Sequence, residues 1–280
     1  MKVGLSLGGG GARGYAHFGV IRALNEAGIP IDLINGSSAG AIAGGAYALY
    51  TDIDQIMAII KEVVRSVNVN YFNIFRYPVE SQPFLRNWLT NAICDVLALR
   101  RSILSHRNNT KALRQIFGER EFADTQIPFS AVAGDLLAGE TVVINQGKLV
   151  DGILPSISIP GIFPPIERGQ QLLVDGFLLA NIPVKELREQ GADFVIAVEL
   201  AGPGETTYQN GFDILNCVES AKYRQLNQWQ LGAANFHLKV NFPSFNSMSF
   251  NNYEIAMKQG YHTAKRLLPK LKRRLEEANG

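Results

Sequence analysis

The first fifty residues alternate between two hydrophobic textures. Short apolar runs, Lys2 to Leu7 and Ile31 to Asn35, have the length of buried strands. Longer stretches of small and apolar residues follow each of them, Tyr15 to Ala27 and Ala39 to Tyr50, at helical length. The order predicted is strand, glycine loop (Gly8 to Gly14), helix, strand, sharp turn, helix. Such a βαβα start builds a largely parallel sheet with helices packed on it. Phe129 to Gly134 and Thr141 to Asn145 read as further strands around an Ala138-Gly139 turn, and Leu172 to Val174 and Phe194 to Leu200 as two more. Between the last two, Pro183 to Gln190 reads as a helix stopped by Gly191.

Between Thr51 and Gln126 the pattern turns mainly helical. Leu85, Trp88, Leu89, Ala92, Ile93, Val96 and Leu97 recur at i, i+3, i+4 spacing, with Arg86, Asn87, Asn91 and Asp95 opposite. This predicts an amphipathic helix inserted into the sheet's chain order, and residues 82–104 are open to reading as a lid, a membrane contact or an interior helix. Gly202 to Gly211 reads as a loop, Phe212 to Leu231 as a helix, and Asn251 to Glu277 as a final helix broken or bent near Pro269. The expectation is an α/β fold in one domain over residues 1–280, with a helical insertion at 51–126 and a C-terminal helical region at 202–280.

Composition narrows the function classes. With 280 residues, 46% of them hydrophobic, the chain can bury a substantial core. A net charge of +2 is too small and too dispersed to argue for nucleic acid as the main ligand. Basic residues gather late, at Lys258, Lys265, Arg266, Lys270, Lys272, Arg273 and Arg274, as on a solvated helix face, with an anionic membrane surface as the alternative. Cys94 and Cys217 are spaced for neither a disulfide framework nor a metal site and read as small core residues in a reducing compartment. Met1 to Leu7 runs straight into glycines without a charged leader, and no apolar run reaches the roughly 20 residues that span a bilayer. A cytoplasmic protein is expected, peripheral wherever it meets a membrane.

Candidate chemistry begins at Gly36-Ser37-Ser38-Ala39-Gly40, the spacing of a nucleophile elbow between strand and helix. Ser38 is the candidate nucleophile; a plain serine-capped helix start is the alternative. The preceding loop, Gly8 to Gly14, sets its amides at a helix N-terminus, where an anion is favoured. Its Gly9-Gly10-Gly11-Ala12-Arg13-Gly14 stretch also fits G-x-G-x-x-G. A dinucleotide site would need an acidic residue ending the second strand, but that strand ends in Asn35-Gly36-Ser37-Ser38 and Asp32 stands at its start. An oxyanion hole accounts for the loop better. Arg13 is a candidate either for orienting the loop or for meeting a phosphate head group, with a plain surface charge in the first helical turn as the alternative.

The base is less direct. Of His17, His106, His237 and His262, chain order lets His237 or His262 serve an α/β-hydrolase, but Ser38 follows only the second strand and the glycine loop comes from the first. His17 lies within the first helix and reads as a core residue. Two Asp-Gly pairs remain. Asp151 reads as a helix N-cap, whereas Asp175 ends an apolar strand, where functional side chains of an α/β sheet gather. Asp175 is therefore the preferred base, with a turn-forming aspartate as the alternative.

The glycine loop, the Ser38 pentapeptide and Asp175-Gly176, in this order, resemble the patatin-like phospholipase family, in its bacterial branch related to neuropathy target esterase. The likeness extends to Leu5 through Gly14 with Ala16-His17 and Gly19-Val20, to Ser158-Ile159-Pro160-Gly161-Ile162-Phe163-Pro164-Pro165, and to Leu173-Val174 and Asn181-Ile182-Pro183-Val184. It covers residues 1–200 well and the final helix loosely. The resemblance implies a three-layer α/β/α fold with a mainly parallel sheet, and a Ser-Asp dyad without histidine acting on acyl esters of lipids. Ser38 would be the nucleophile, Asp175 the base, and Gly9, Gly10 and Gly11 the oxyanion donors. It implies a lipid or other acyl-ester substrate and neither metal nor cofactor. Two departures stand out: Phe177 follows Asp175-Gly176 where the family has glycine or alanine, and Ser37 stands where it often has threonine. A bulky Phe177 bears on the size of the pocket.

Overall fold

Helices flank a sheet whose centre is parallel, as the opening βαβα pattern requires. The computed structural model describes residues 1–66, 99–202, 209, 211–242 and 250–280. The strands are β1 (Val3–Leu7), β2 (Leu33–Ser37), β3 (Phe129–Asp135), β4 (Glu140–Ile144), β5 (Ile166–Arg168), β6 (Gln171–Asp175), β7 (Phe194–Ala201) and β8 (Phe236–Asn241). The helices are α1 (Tyr15–Glu26), α2 (Ala39–Tyr50), α3 (Ile53–Ser66), α4 (Arg107–Phe117), α5 (Leu149–Ser156), α6 (Phe177–Ala180), α7 (Val184–Glu189), α8 (Gly211–Leu231) and α9 (Tyr253–Asn279).

β3, β2, β1, β7 and β8 run parallel in that spatial order, while β4, β5 and β6 add an antiparallel flank. Side chains alternate across this sheet into two apolar layers. Val3, Leu5, Leu7, Ile196 and Val198 join the larger cluster with α1, α2 and α9. Val195 and Ala197 point the other way, into a smaller cluster with Ile182, Val184 and Leu187 around α7. Both faces of β1 are buried, with Val3, Leu5 and Leu7 on one side and only the small Gly4 and Ser6 on the other, where Gly4 packs against Leu187 and Ala192. Each fully buried Leu or Ile in these layers contributes about 1.5–3 kcal/mol.

Three expectations shift. β2 begins two residues later than read and runs through Gly36-Ser37, because pairing with both β1 and β3 carries the ladder up to the elbow. The 202–280 region holds the edge strand β8 as well as helices; Phe236, Leu238 and Val240 are buried and His237, Lys239 and Asn241 exposed, the period-2 signature of a half-buried strand. α9 continues through Pro269 as one element. Pro269 lies on the exposed side, so water can satisfy the carbonyl that loses its helical donor. The seven late basic residues are all exposed along α9, while Ala256, Gly260, Ala264, Leu268, Leu271 and Leu275 are buried, an amphipathic helix whose basic face is open to solvent or to an anionic surface alike.

Asp151 is no N-cap. Lys148 occupies that position, and Asp151 is exposed in the first turn of α5. Cys217 is half-buried on α8 rather than a core residue. Cys94 and most of the 82–104 amphipathic segment lie outside the described residues. Among the described residues, no helix is long and apolar enough to cross a membrane.

Candidate active site

The register of β3 decides where the two candidate groups meet. β2 pairs with β3 over Phe129 to Val132, and β6 pairs with it over Ala133 to Asp135, while β4 covers Ala131 to Asp135 on the other edge. β2 and β6 therefore share one edge of β3 and run toward each other. Ser37 is opposite Val132 and Asp175 opposite Ala133, so the two strands end at adjacent positions. Asp175 thus reaches the elbow from an antiparallel strand, a direction on which the sequence pattern is silent.

At this junction Ser38 Oγ donates to Asp175 Oδ2 at 2.7 Å. Ser38 adopts φ 55°, ψ −122°, a region that costs a side-chain-bearing residue on the order of 1–3 kcal/mol. Neighbouring glycines make the turn possible. A Cβ on Gly40 would collide with the Leu7 carbonyl, and one on Gly36 with the Gly40 backbone. The Ser38 amide donates to Ser156 Oγ at 2.9 Å, and Ser156 Oγ donates to the Val132 carbonyl at 2.6 Å. Ser38 also occupies the N-cap position of α2 without a side-chain capping bond, and the helix dipole favours negative charge there.

Asp175 is fully buried. Burial pushes its carboxyl up to about 7, while the Phe177 amide, 3.0 Å from Oδ1, and the Ser38 hydroxyl pull it down. Gly176 is close to obligatory here, since a Cβ would strike the Val132 carbonyl. Phe177 supplies that amide, but its side chain is absent from the cavity wall next to Ser38.

The glycine loop lies beside the elbow. Gly9, expected to face a substrate oxygen, donates its amide to the Asn181 carbonyl at 3.1 Å instead. Among the described residues neither the Gly10 nor the Gly11 amide donates to a protein acceptor. Gly11 and Ser38 line the same cavity. Arg13 Nε donates to the Gly10 carbonyl within the loop at 3.2 Å. Burial lowers its guanidinium pKa, and Tyr223 of α8 opposes that shift.

The histidines stand apart from Ser38. His17 is buried and directs Nε2 to the Gly8 carbonyl at 2.8 Å; burial pushes it down to about 4, so it is neutral and Nε2 carries the proton. His106 bonds the Pro164 carbonyl at 2.7 Å and stacks on Phe163. His237 pairs with Glu199 at 2.8 Å, and His262 is exposed on α9. Asp32 accepts the Val3 amide at 2.7 Å, at the opposite end of β2 from Ser38. Neither the His-assisted nor the dinucleotide arrangement is assembled here.

An apolar cavity of about 180 Å³ opens from Ser38. Its wall comes from α1, α2, α3, α4 and the 157–163 segment, including Phe18, Ile42, Ala43, Ile60, Leu113 and Phe163. A hydroxyl on a buried carboxylate, unoccupied amides alongside and an apolar recess together suit attack on an ester with a hydrocarbon acyl group. Ser156 and this wall were not legible as site components; Asn181 was visible only within a larger motif.

Fold and site define an α/β protein with a serine-aspartate pair at a strand-to-helix elbow. The chain belongs to the patatin-like phospholipase family, whose model matches residues 5–188. An uncharacterized NTE family protein of Mycobacterium tuberculosis is 34% identical over 200 residues, covering 71% of this chain and 30% of that protein. Lysophospholipase NTE1 of Debaryomyces hansenii is 33% identical over 217 residues, covering 77% of this chain and 13% of its own length. The chain thus spans under a third of the length of these relatives. VipD from Legionella pneumophila shares the fold, with a TM-score of 0.51 and 15% identity over 96% of this chain and 67% of that one.

Proposed function

We propose that this chain is a serine acyl-ester hydrolase acting on lipids, with Ser38 as nucleophile and Asp175 as general base. The observation that carries the reading is the 2.7 Å hydrogen bond from the Ser38 hydroxyl to a buried carboxylate beside an apolar cavity. Asp175 takes the Ser38 proton as Oγ attacks the ester carbonyl, and that proton passes to the leaving alcohol as the acyl-enzyme forms. A water then gives its proton to Asp175 and attacks the acyl carbonyl. Ser38 leaves, recovers the proton, and the fatty acid is released. General-base help of this kind is worth about 100- to 10,000-fold.

The Gly10 and Gly11 amides are the oxyanion donors in this scheme, with Gly9 holding the loop through Asn181. The cavity receives the acyl chain, and a (lyso)phospholipid is the favoured substrate, in keeping with the lysophospholipase name of one relative. Contact with a membrane surface would be peripheral.

A fluorophosphonate probe and a panel of lipid esters test the reading on the purified chain. Labelling and hydrolysis by wild type, both abolished in Ser38→Ala, are expected. Folded wild-type protein that neither labels nor hydrolyses any ester would replace this reading with a lipid-binding protein on the same scaffold.

A further inference from the structure

We propose that Ser156 is a positioning residue for catalysis, holding the strained elbow so that the Ser38 hydroxyl stays on Asp175. The inference rests on the Ser38-Asp175 reading and adds a group outside it. A serine at φ 55°, ψ −122° persists only where its surroundings over-determine it. Glycines at 36 and 40 make room for that conformation but do not select it. Selection comes from the Ser38 amide, whose one acceptor among the described residues is Ser156 Oγ.

Ser156 is itself fixed. It is fully buried, and its own proton goes to the Val132 carbonyl at 2.6 Å. Val132 is the β3 residue opposite Ser37, so the Ser156 hydroxyl bridges two strands where the chain leaves the sheet. Two residues on, the Ser158 carbonyl accepts the Asp175 amide at 3.0 Å. One short segment at the end of α5 therefore grips the backbone of both members of a pair 137 residues apart in sequence. Between the two grips, Ile157 lines the cavity. Without the Ser156 hydroxyl, the Ser38 amide can find an acceptor only by turning the elbow, which takes Oγ off Asp175.

The test compares Ser156→Ala with Ser130→Ala, another fully buried serine, which lies opposite Asn35 just before the elbow but gives its hydroxyl to Gln190 and not to the elbow backbone. Steady-state kinetics on a soluble p-nitrophenyl ester and the rate of fluorophosphonate labelling are the readouts. Ser156→Ala is expected to lose about 10- to 100-fold in kcat and in labelling rate, the cost of an orphaned buried donor, with KM within about twofold of wild type. Ser130→Ala should lower Tm comparably and keep kcat within about twofold. Unchanged kcat in Ser156→Ala, or an equal kcat loss in Ser130→Ala, overturns the proposal. Should Ser156→Ala not fold, Ser156→Cys takes its place, its thiol being a weaker acceptor, and a kcat equal to wild type there overturns the proposal too. Retained activity in Ser38→Ala would instead overturn the underlying dyad reading.

Discussion

Ser38 stands between two environments built on opposite principles. Toward Asp175 the polar groups of the pair are assigned: the hydroxyl to the carboxylate, the elbow amide to Ser156, the other carboxylate oxygen to the Phe177 amide. Toward the cavity the wall is overwhelmingly hydrocarbon, with Ile42, Ala43, Ile60 and Leu113 offering shape alone. Directional bonds fix atoms to tenths of an ångström, which proton transfer needs; dispersion and burial reward any chain of suitable volume. Changes in the polar corner should therefore alter turnover on every substrate, and changes in the cavity should alter which substrate is preferred.

Asp175→Asn gives the largest expected contrast. At pH 8 it should lower kcat about 100- to 10,000-fold on short and long esters alike. Stability should move the other way. A carboxyl held at about 7 in the folded chain keeps a proton that the unfolded chain releases near 4, so stability falls as pH rises through that window. The full cost, about 4 kcal/mol at most, stands above pH 7 and is absent below about pH 4. Asp175→Asn should thus raise Tm at pH 8 and progressively less toward pH 4, as thermal melts can follow. In wild type the same titration should place the acidic limb of kcat/KM near pH 7; a limb near pH 4 would count against a desolvated base.

Gly11→Ala comes next. Gly11 has φ 58°, so alanine strains the loop and displaces a proposed oxyanion amide, with an expected kcat loss of about 100-fold on all esters and little change in KM. A loss confined to long-chain esters would instead assign Gly11 to the cavity side of the comparison.

Ala43→Phe fills the cavity one helical turn beyond the elbow. Long-chain esters should lose about 10- to 100-fold in kcat/KM while a short ester changes less than about threefold, and a uniform loss would remove the proposed division. Phe177→Ala should be mildest, under about threefold in kcat, because its backbone amide and not its ring meets Asp175. A new preference for bulkier esters would return Phe177 to the substrate pocket.

Much of the frame was legible because it is written in local preference. The strand-loop-helix order of residues 1–50 follows from apolar runs and glycine punctuation, and Gly36 and Gly40 sit at the elbow because two backbones nearly touch there. Other features escaped for identifiable reasons. β5 is three residues long and carries little pattern, and Pro269 read as a break or bend in the final helix because its exposure is invisible in sequence. Gly9 read as an oxyanion donor until Asn181, 172 positions away in the chain, claimed its amide.

The sequence by itself determined the parts: an elbow serine, a glycine loop at a helix start, and an aspartate closing an apolar strand. Each is encoded within a few consecutive residues, where steric preference and hydrogen bonding act. Only the tertiary structure decided their assembly. Whether Asp175 meets Ser38 depends on β2 and β6 sharing one edge of β3 and ending side by side, and strand register is set by the burial of whole faces. The raised carboxyl, the Ser156 grip and the apolar recess follow from that meeting, since desolvation and distance exist only once the chain has closed around them.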